Sequence, residues 1–169
     1  IVRGDGEEII RDLVGGVALE DITGISYKNG HEVIHNPSRK PASLSNHIFP
    51  LRKLRRNIYR FSLKGIDLGY DIDFMATSRG CPFSCKFCTF SRNPLGEKRA
   101  WSGRSPESVI AELKTIEAEL VVMVDDNFAV DLERVEKICD LIQEEGIKKL
   151  FVITLRLEIS ERPELLKKM

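Results

Sequence analysis

The sequence lacks any apolar run long enough to cross a membrane, and it lacks the charged start and short apolar segment of a secretory signal. It has no excess of either charge, because 26 basic residues balance 26 acidic residues. Hydrophobic residues make up 42% of the chain, an ordinary share for a globular protein. The 169 residues are enough for one domain with a sizeable core. We therefore expect a globular protein without a membrane span.

Cysteine is scarce, and three of the four cysteines lie within one stretch of eight residues. Cys81, Cys85 and Cys88 are four and three positions apart, so one short loop can turn several thiolates toward one centre. An apolar run of strand length, Asp73–Ser78, precedes them, and Arg79-Gly80 ends that run. The cysteines are therefore predicted to lie on a loop at the carboxyl end of a strand, where open α/β sheets bind their ligands.

The number of thiolates decides what such a loop can hold. A 4Fe–4S cluster bound by three cysteines keeps one iron open for another ligand. Structural zinc is an alternative, but it normally takes four ligands, and the remaining cysteine, Cys139, lies on the apolar face of a predicted helix. We interpret His31, His35 and His47 as surface or loop residues. Three unrelated buried cysteines are a further alternative. The thiol loop indicates a reducing, cytoplasmic setting.

The segment from Ser78 to Cys88 reads Ser-Arg-Gly-Cys-Pro-Phe-Ser-Cys-Lys-Phe-Cys and resembles the cluster loop of radical S-adenosylmethionine (radical SAM) enzymes. Its first five residues are similar to the branch with an upstream cobalamin-binding domain. The resemblance implies that Cys81, Cys85 and Cys88 bind a 4Fe–4S cluster, with Phe87 among the cofactor-binding residues. The open iron would bind SAM. One electron, from a donor such as flavodoxin or ferredoxin, would then cleave SAM to a 5′-deoxyadenosyl radical, for hydrogen abstraction or radical methylation of an unknown substrate.

The first 66 residues differ in composition from the rest. Residues 1–35 contain a predicted helix and an Asn29-Gly30 hairpin signal. Val2-Arg-Gly-Asp-Gly-Glu7 is similar to the tail of the cobalamin-binding domain in the same branch, although a generic helix and hairpin would read alike. Residues 36–66 hold eight Lys or Arg and no acid, which predicts a basic surface linker. Such a linker can bind phosphates, but we favour pairing with the acidic parts on either side.

Residues 67–169 alternate strands and helices, which predicts parallel strands with right-handed crossovers. The predicted strands are Asp73–Ser78, Leu120–Val124 and Leu150–Leu157, and the helices begin at Ser105 and Asp131. We predict an α/β fold: the amino-terminal part of a radical SAM partial (β/α) barrel, preceded by a small α+β segment and a basic linker. The resemblance and the initial Ile lead us to expect a fragment that is inactive alone.

Polar residues at two strand ends are candidate SAM contacts. Asp125, Asp126 and Asn127 follow the second strand, and strand alternation would turn only one aspartate inward. The resemblance implies that this strand end binds the amino group of SAM; a solvated acidic loop is the alternative. Arg156 and Glu158 end the third predicted strand on one face. The resemblance implies that they reach the SAM carboxylate or ribose, and a surface ion pair is the alternative.

Two rival functions remain at this point. A methylthiotransferase acting on transfer RNA or protein has a similar cluster loop but uses three more cysteines upstream, which this chain lacks. A non-catalytic iron–sulfur or zinc module would require a fourth cysteine or histidine ligand. We expect no nucleic-acid partner. The use of cobalamin, bound by an upstream domain outside this chain, stays open because no cobalt-ligating histidine motif is found here.

Overall fold

A computed structural model describes residues 1–40, 44, 48–90, 92, 98 and 100–169. The chain forms two compact units. The first consists of Ile1–Ser43 and Phe83–Ala100, and the second of Leu44–Pro82 and Trp101–Met169. The division into a cobalamin-domain tail (1–35), a linker (36–66) and a half barrel (67–169) stays a prediction.

The first unit contains the helix and the hairpin that the sequence predicts. Helix α1 (Glu7–Val14) is followed by a 3₁₀ helix at Leu19–Asp21 and by the antiparallel strands β1 (Ser26–Asn29) and β2 (Glu32–His35). Its small core consists of Ile9, Ile22 and Ile25, all buried. His31 and His35 are exposed, as expected of surface residues, whereas His47 lies outside the described residues.

The second unit is built on a four-stranded sheet. Its elements in chain order are β3 (Tyr59–Leu63), β4 (Ile66–Met75), β5 (Ser78–Arg79), β6 (Ser102–Gly103), α2 (Pro106–Leu113), β7 (Leu120–Met123), α3 (Leu132–Glu144), β8 (Leu150–Val152) and α4 (Pro163–Lys168). The sheet order is β3-β4-β7-β8, and β5 pairs separately with β6. Strands β4, β7 and β8 are parallel, as predicted, and β3 is antiparallel to β4.

Two capped helices cover this sheet. The Ser105 hydroxyl accepts a hydrogen bond from the Ser108 amide at 3.2 Å, and the Asp131 carboxylate accepts one from the Arg134 amide at 3.0 Å. These caps start both helices where the sequence predicts. The apolar stripes of α2 and α3 form the core together with β7. The buried residues of this core include Val109, Leu113, Ile116, Val121, Val135, Ile138 and Cys139.

The segment predicted to be a basic linker contains a strand that the sequence analysis missed. Tyr59–Leu63 pairs with β4 to form a hairpin, and the segment's proposed end at residue 66 is the first residue of β4. Lys64 (φ 50°) and Gly65 (φ 82°) both adopt the left-handed conformation that a tight hairpin turn requires. We missed the turn because lysine, unlike asparagine, is a weak signal for that conformation.

Several basic residues of this segment pair with acidic neighbours. In the first unit Arg39 contacts the Asp12 carboxylate at 2.5 Å. In the second unit Arg52 and Arg55 both bind the Asp73 carboxylate, at 2.9 and 2.7 Å. Part of the positive charge of this segment is therefore balanced by acids of the same unit.

The bounds predicted for the first and third strands are wrong. The first strand spans Ile66–Met75 and ends before Thr77, where the Thr77 amide donates to the Asp125 carboxylate and the Ala76 carbonyl accepts from the Arg104 side chain. The third strand ends at Val152 instead of residue 157, and Leu157–Glu161 form a 3₁₀ helix. Strand β8 is an edge of the sheet among the described residues, with half-exposed apolar side chains.

Candidate functional site

The cysteine loop begins directly after β5. Cys81, Cys85 and Cys88 are each partly buried, and none of them forms a disulfide. The Cys88 amide donates to the Cys85 carbonyl at 3.1 Å, so these two residues share a tight turn. Phe87 lies between them with 93% of its surface exposed. Within the described residues, no three His, Cys, Asp or Glu side chains are gathered into a metal-binding group.

Asp125 is a buried anchor for the chain that leads into this loop. Its carboxylate is only 4% exposed and accepts hydrogen bonds from the Thr77 amide at 2.6 Å and the Ser78 hydroxyl at 2.6 Å. The Thr77 hydroxyl also donates to it. Because neutral donors surround both oxygens, this carboxylate has little capacity left for an ammonium ligand.

Asp126 is placed differently, although it is the next residue. It is partly exposed, and its carboxylate accepts a hydrogen bond from the Gly80 amide at 2.9 Å, one residue before Cys81. Asn127 is buried, and its side-chain oxygen accepts from the Ala129 amide at 3.3 Å. That only one of the two aspartates faces SAM stays a prediction. Strand β7 ends at Met123, so both carboxylates turn toward the segment before the cysteines.

Two buried arginines also donate hydrogen bonds to the segment before the cysteines. The Arg104 guanidinium donates to the Ala76 carbonyl at 2.9 Å, and the Arg134 guanidinium donates to the Thr77 carbonyl at 2.8 Å. Arg134 also donates to the Arg104 carbonyl at 2.7 Å. Burial lowers the pKa of Arg134, and the nearby Asp125 carboxylate partly opposes this effect. The guanidinium stays charged because its ordinary pKa is far above neutrality.

Arg104 itself is fixed by a chain of buried charges. It is 1% exposed and pairs with Glu112, whose other oxygen accepts from Arg52 at 2.6 Å. Arg52 in turn binds Asp73. The sequence analysis missed this network, although one signal was present. Glu112 stands directly before Leu113 on the buried side of α2, where an acid requires a cationic partner.

The residues predicted at the third strand end form an ion pair with each other. The Arg156 Nε atom lies 3.1 Å from both Glu158 carboxylate oxygens, and Arg156 caps the 3₁₀ helix that contains Glu158. The hydrogen bond from Arg156 lowers the pKa of Glu158. Both side chains are substantially exposed, so a contact with SAM stays a prediction.

Cys139 does not join the cysteine loop. It lies on the buried face of α3 with 7% of its surface exposed, and burial raises the pKa of its thiol. A thiol that stays protonated is a poor metal ligand. The interpretation of Cys139 as a small buried hydrophobe is confirmed.

Comparison with known proteins identifies the family. The model of the radical SAM superfamily matches residues 75–169, from the end of β4 to the last residue. The chain belongs to the radical SAM superfamily, as its cysteine loop predicts. An uncharacterized methyltransferase of Pyrococcus horikoshii is 30% identical over 164 residues, which cover 87% of this chain and 32% of that relative.

Solved structures confirm the predicted fold class. The cobalamin-dependent radical SAM enzyme OxsB, with aqua-cobalamin and SAM bound, superposes with a TM-score of 0.61 at 24% identity. The aligned residues cover 88% of this chain and 21% of the OxsB chain. The radical SAM methyltransferase TsrM of Kitasatospora setae, with cobalamin and a [4Fe–4S] cluster bound, superposes with a TM-score of 0.62 at 15% identity. The aligned residues cover 99% of this chain and 35% of the TsrM chain.

The chain spans about a third or less of the length of these proteins. These relatives and neighbours are named as enzymes, and the solved structures hold the three cofactors that the sequence predicts. No helix among the described residues is long and apolar enough to span a membrane.

Proposed function

We propose that this chain contributes the cluster loop and part of the SAM site of a radical SAM enzyme that transfers methyl groups, with cobalamin as a further cofactor. The observation that carries the proposal is the three-cysteine loop after β5, within the region that matches the superfamily. The methyltransferase relative and the methyltransferase TsrM, solved with cobalamin bound, support methyl transfer as the reaction.

The donor set of the loop fits a 4Fe–4S cluster. Three thiols lie within eight residues, outside any disulfide, and an iron without a protein ligand would be left for SAM. The other candidate donors do not compete, because Cys139 is buried on α3 and Asp125 is engaged by Thr77 and Ser78. When bound, the cluster would supply the electron that breaks the C5′–S bond of SAM, which gives methionine and a 5′-deoxyadenosyl radical. The donor of that electron is an external flavodoxin-like or ferredoxin-like protein.

The remaining residues act by binding and orientation. Asp126 is the aspartate that we assign to the SAM amino group, because it is partly exposed and lies beside Gly80 at the start of the loop. Asn127 and Phe87 are further candidate contacts of SAM, as the resemblance implies. Arg156 and Glu158 are assigned to the carboxylate and ribose of SAM, which requires Arg156 to exchange part of its pairing with Glu158.

A count of iron and sulfide tests the proposal. Protein reconstituted without oxygen should bind about four irons and four sulfides per chain, and Cys81→Ala, Cys85→Ala and Cys88→Ala should each lose them. Cys139→Ala is the matched control and should keep the full complement. Loss of iron in the control, or retention in a loop variant, would contradict the assignment. Binding of one zinc ion would support the structural-module alternative.

A further inference from the structure

The segment between β4 and β5, which leads into the cluster loop, is held by charged side chains as well as by backbone pairing. Sheet pairing of β4 ends at Met75, and the next pairing is the short β5. Between them the Ala76 carbonyl accepts from Arg104, and the Thr77 carbonyl accepts from both the Arg104 amide and Arg134. The direction of the backbone before Cys81 therefore depends on where two guanidinium groups are fixed.

Arg104 is the better fixed of these groups. Its guanidinium binds Glu112 and also donates to the Ser108 carbonyl at 2.7 Å, and its Cζ atom lies 5.2 Å from the centre of the Phe49 ring. A planar guanidinium that binds several acceptors at once has only one orientation, which a lysine ammonium cannot reproduce. Because Arg104 is anchored on α2, it links the backbone of the loop entrance to a buried helix.

We propose that Arg104, held by Glu112, is a positioning residue for the cluster loop. It fixes the Ala76–Thr77 peptide and so sets where Cys81 is presented to the cluster and to SAM. This inference rests on the proposed function, because it requires Cys81 to be a cluster ligand. Changes in residues that orient metal ligands typically weaken binding by about 10- to 100-fold, a loss that is easily measured.

The chain contains a matched control for this proposal. Arg52 binds the other oxygen of Glu112, at 2.6 Å, and is also largely buried. Its remaining contacts are Asp73 and the Phe74 carbonyl, which belong to β4 and not to the loop entrance. A lysine at either position therefore disturbs the same buried network, but only Arg104→Lys releases the Ala76 carbonyl.

The test compares wild type, Arg104→Lys and Arg52→Lys after reconstitution without oxygen. The urea midpoint reports stability, iron content reports assembly, and the electron paramagnetic resonance (EPR) spectrum of the reduced cluster during a SAM titration reports loop geometry. We expect both variants to lose stability, but only Arg104→Lys to weaken SAM binding, by about tenfold or more, with an altered EPR spectrum. Wild-type SAM affinity in Arg104→Lys, or an equal loss in Arg52→Lys, would overturn the proposal.

A second variant covers the case in which Arg104→Lys does not fold. Glu112→Gln keeps the shape of this side chain but removes the charge that holds the Arg104 guanidinium, so we expect weaker SAM binding here too. Wild-type SAM affinity in this variant would then overturn the proposal. A wild-type protein that takes up no iron would overturn the proposed function, and this inference with it. Normal iron uptake with unchanged loop geometry in the variants would overturn the positioning role alone.

Discussion

Replacing Asp125 with alanine should destabilise the second unit more than replacing its neighbour Asp126. The Asp125 carboxylate is 4% exposed and accepts three hydrogen bonds, two from Thr77 and one from Ser78. Removing it leaves a buried amide and two buried hydroxyls without their acceptor. Asp126 is itself partly exposed, so water already competes for its carboxylate, which accepts from the Gly80 amide.

The magnitude follows from these bonds. A hydrogen bond to a charged group contributes about 1.5–3 kcal/mol, so three bonds at the lower value give about 4.5 kcal/mol. Because the three share one carboxylate and are not additive, we expect a loss of about 3–5 kcal/mol. Domains are stable by about 5–15 kcal/mol, so this loss is a substantial fraction of the free energy of unfolding. For Asp126→Ala we expect a loss of about 1 kcal/mol.

Urea unfolding followed by circular dichroism measures both losses. With a slope of about 1.5 kcal/mol per molar, Asp125→Ala should lower the midpoint by about 2–3 M and Asp126→Ala by less than about 1 M. Asp125→Asn should fall between them, because the amide keeps one acceptor oxygen. A wild-type midpoint in Asp125→Ala, or a larger shift in Asp126→Ala, would refute the assignment of Asp125 as the buried anchor.

Two further predictions concern SAM binding and association. Asp126→Ala and Arg156→Ala should each weaken SAM binding by about 1.5–3 kcal/mol while leaving the absorption spectrum of the cluster unchanged. Equilibrium dialysis measures the SAM affinity. Unchanged affinity in both variants would show that these residues are surface charges and not SAM contacts. Val152→Lys should reduce self-association measured by light scattering, since Val152 is 48% exposed on the edge strand β8 and edge strands pair with other chains. A wild-type protein that is already monomeric would contradict this prediction.

Much of the fold could be predicted because its signals are local. Ser105 and Asp131 are strong N-caps, and the apolar positions that follow repeat at helical spacing, so α2 and α3 were found near their true bounds. The parallel order of the strands followed from the alternation with helices. The β3–β4 hairpin was missed because its turn uses Lys64 in a left-handed conformation, and lysine is a weak sequence signal for that conformation.

The cysteines and the polar strand end could also be predicted, but the separate roles of Asp125 and Asp126 could not. Their difference depends on Thr77 and Ser78, which are distant in the sequence and meet Asp125 only in the folded chain. The network of Arg104, Glu112 and Arg52 is likewise made of long-range pairs. Sequence patterns report the face of a helix or strand, whereas the partner of a buried charge is set by tertiary packing.

The most direct test of the central claim is the EPR spectrum of the reconstituted, dithionite-reduced protein before and after SAM is added. A cluster bound by Cys81, Cys85 and Cys88 has one iron without a protein ligand, so SAM should bind that iron and shift the g-values of the signal. Cys139→Ala should show the same shift. A signal that does not change with SAM, or a shift that persists when Cys81 is replaced by alanine, would contradict the assignment of this loop as the SAM-binding cluster site.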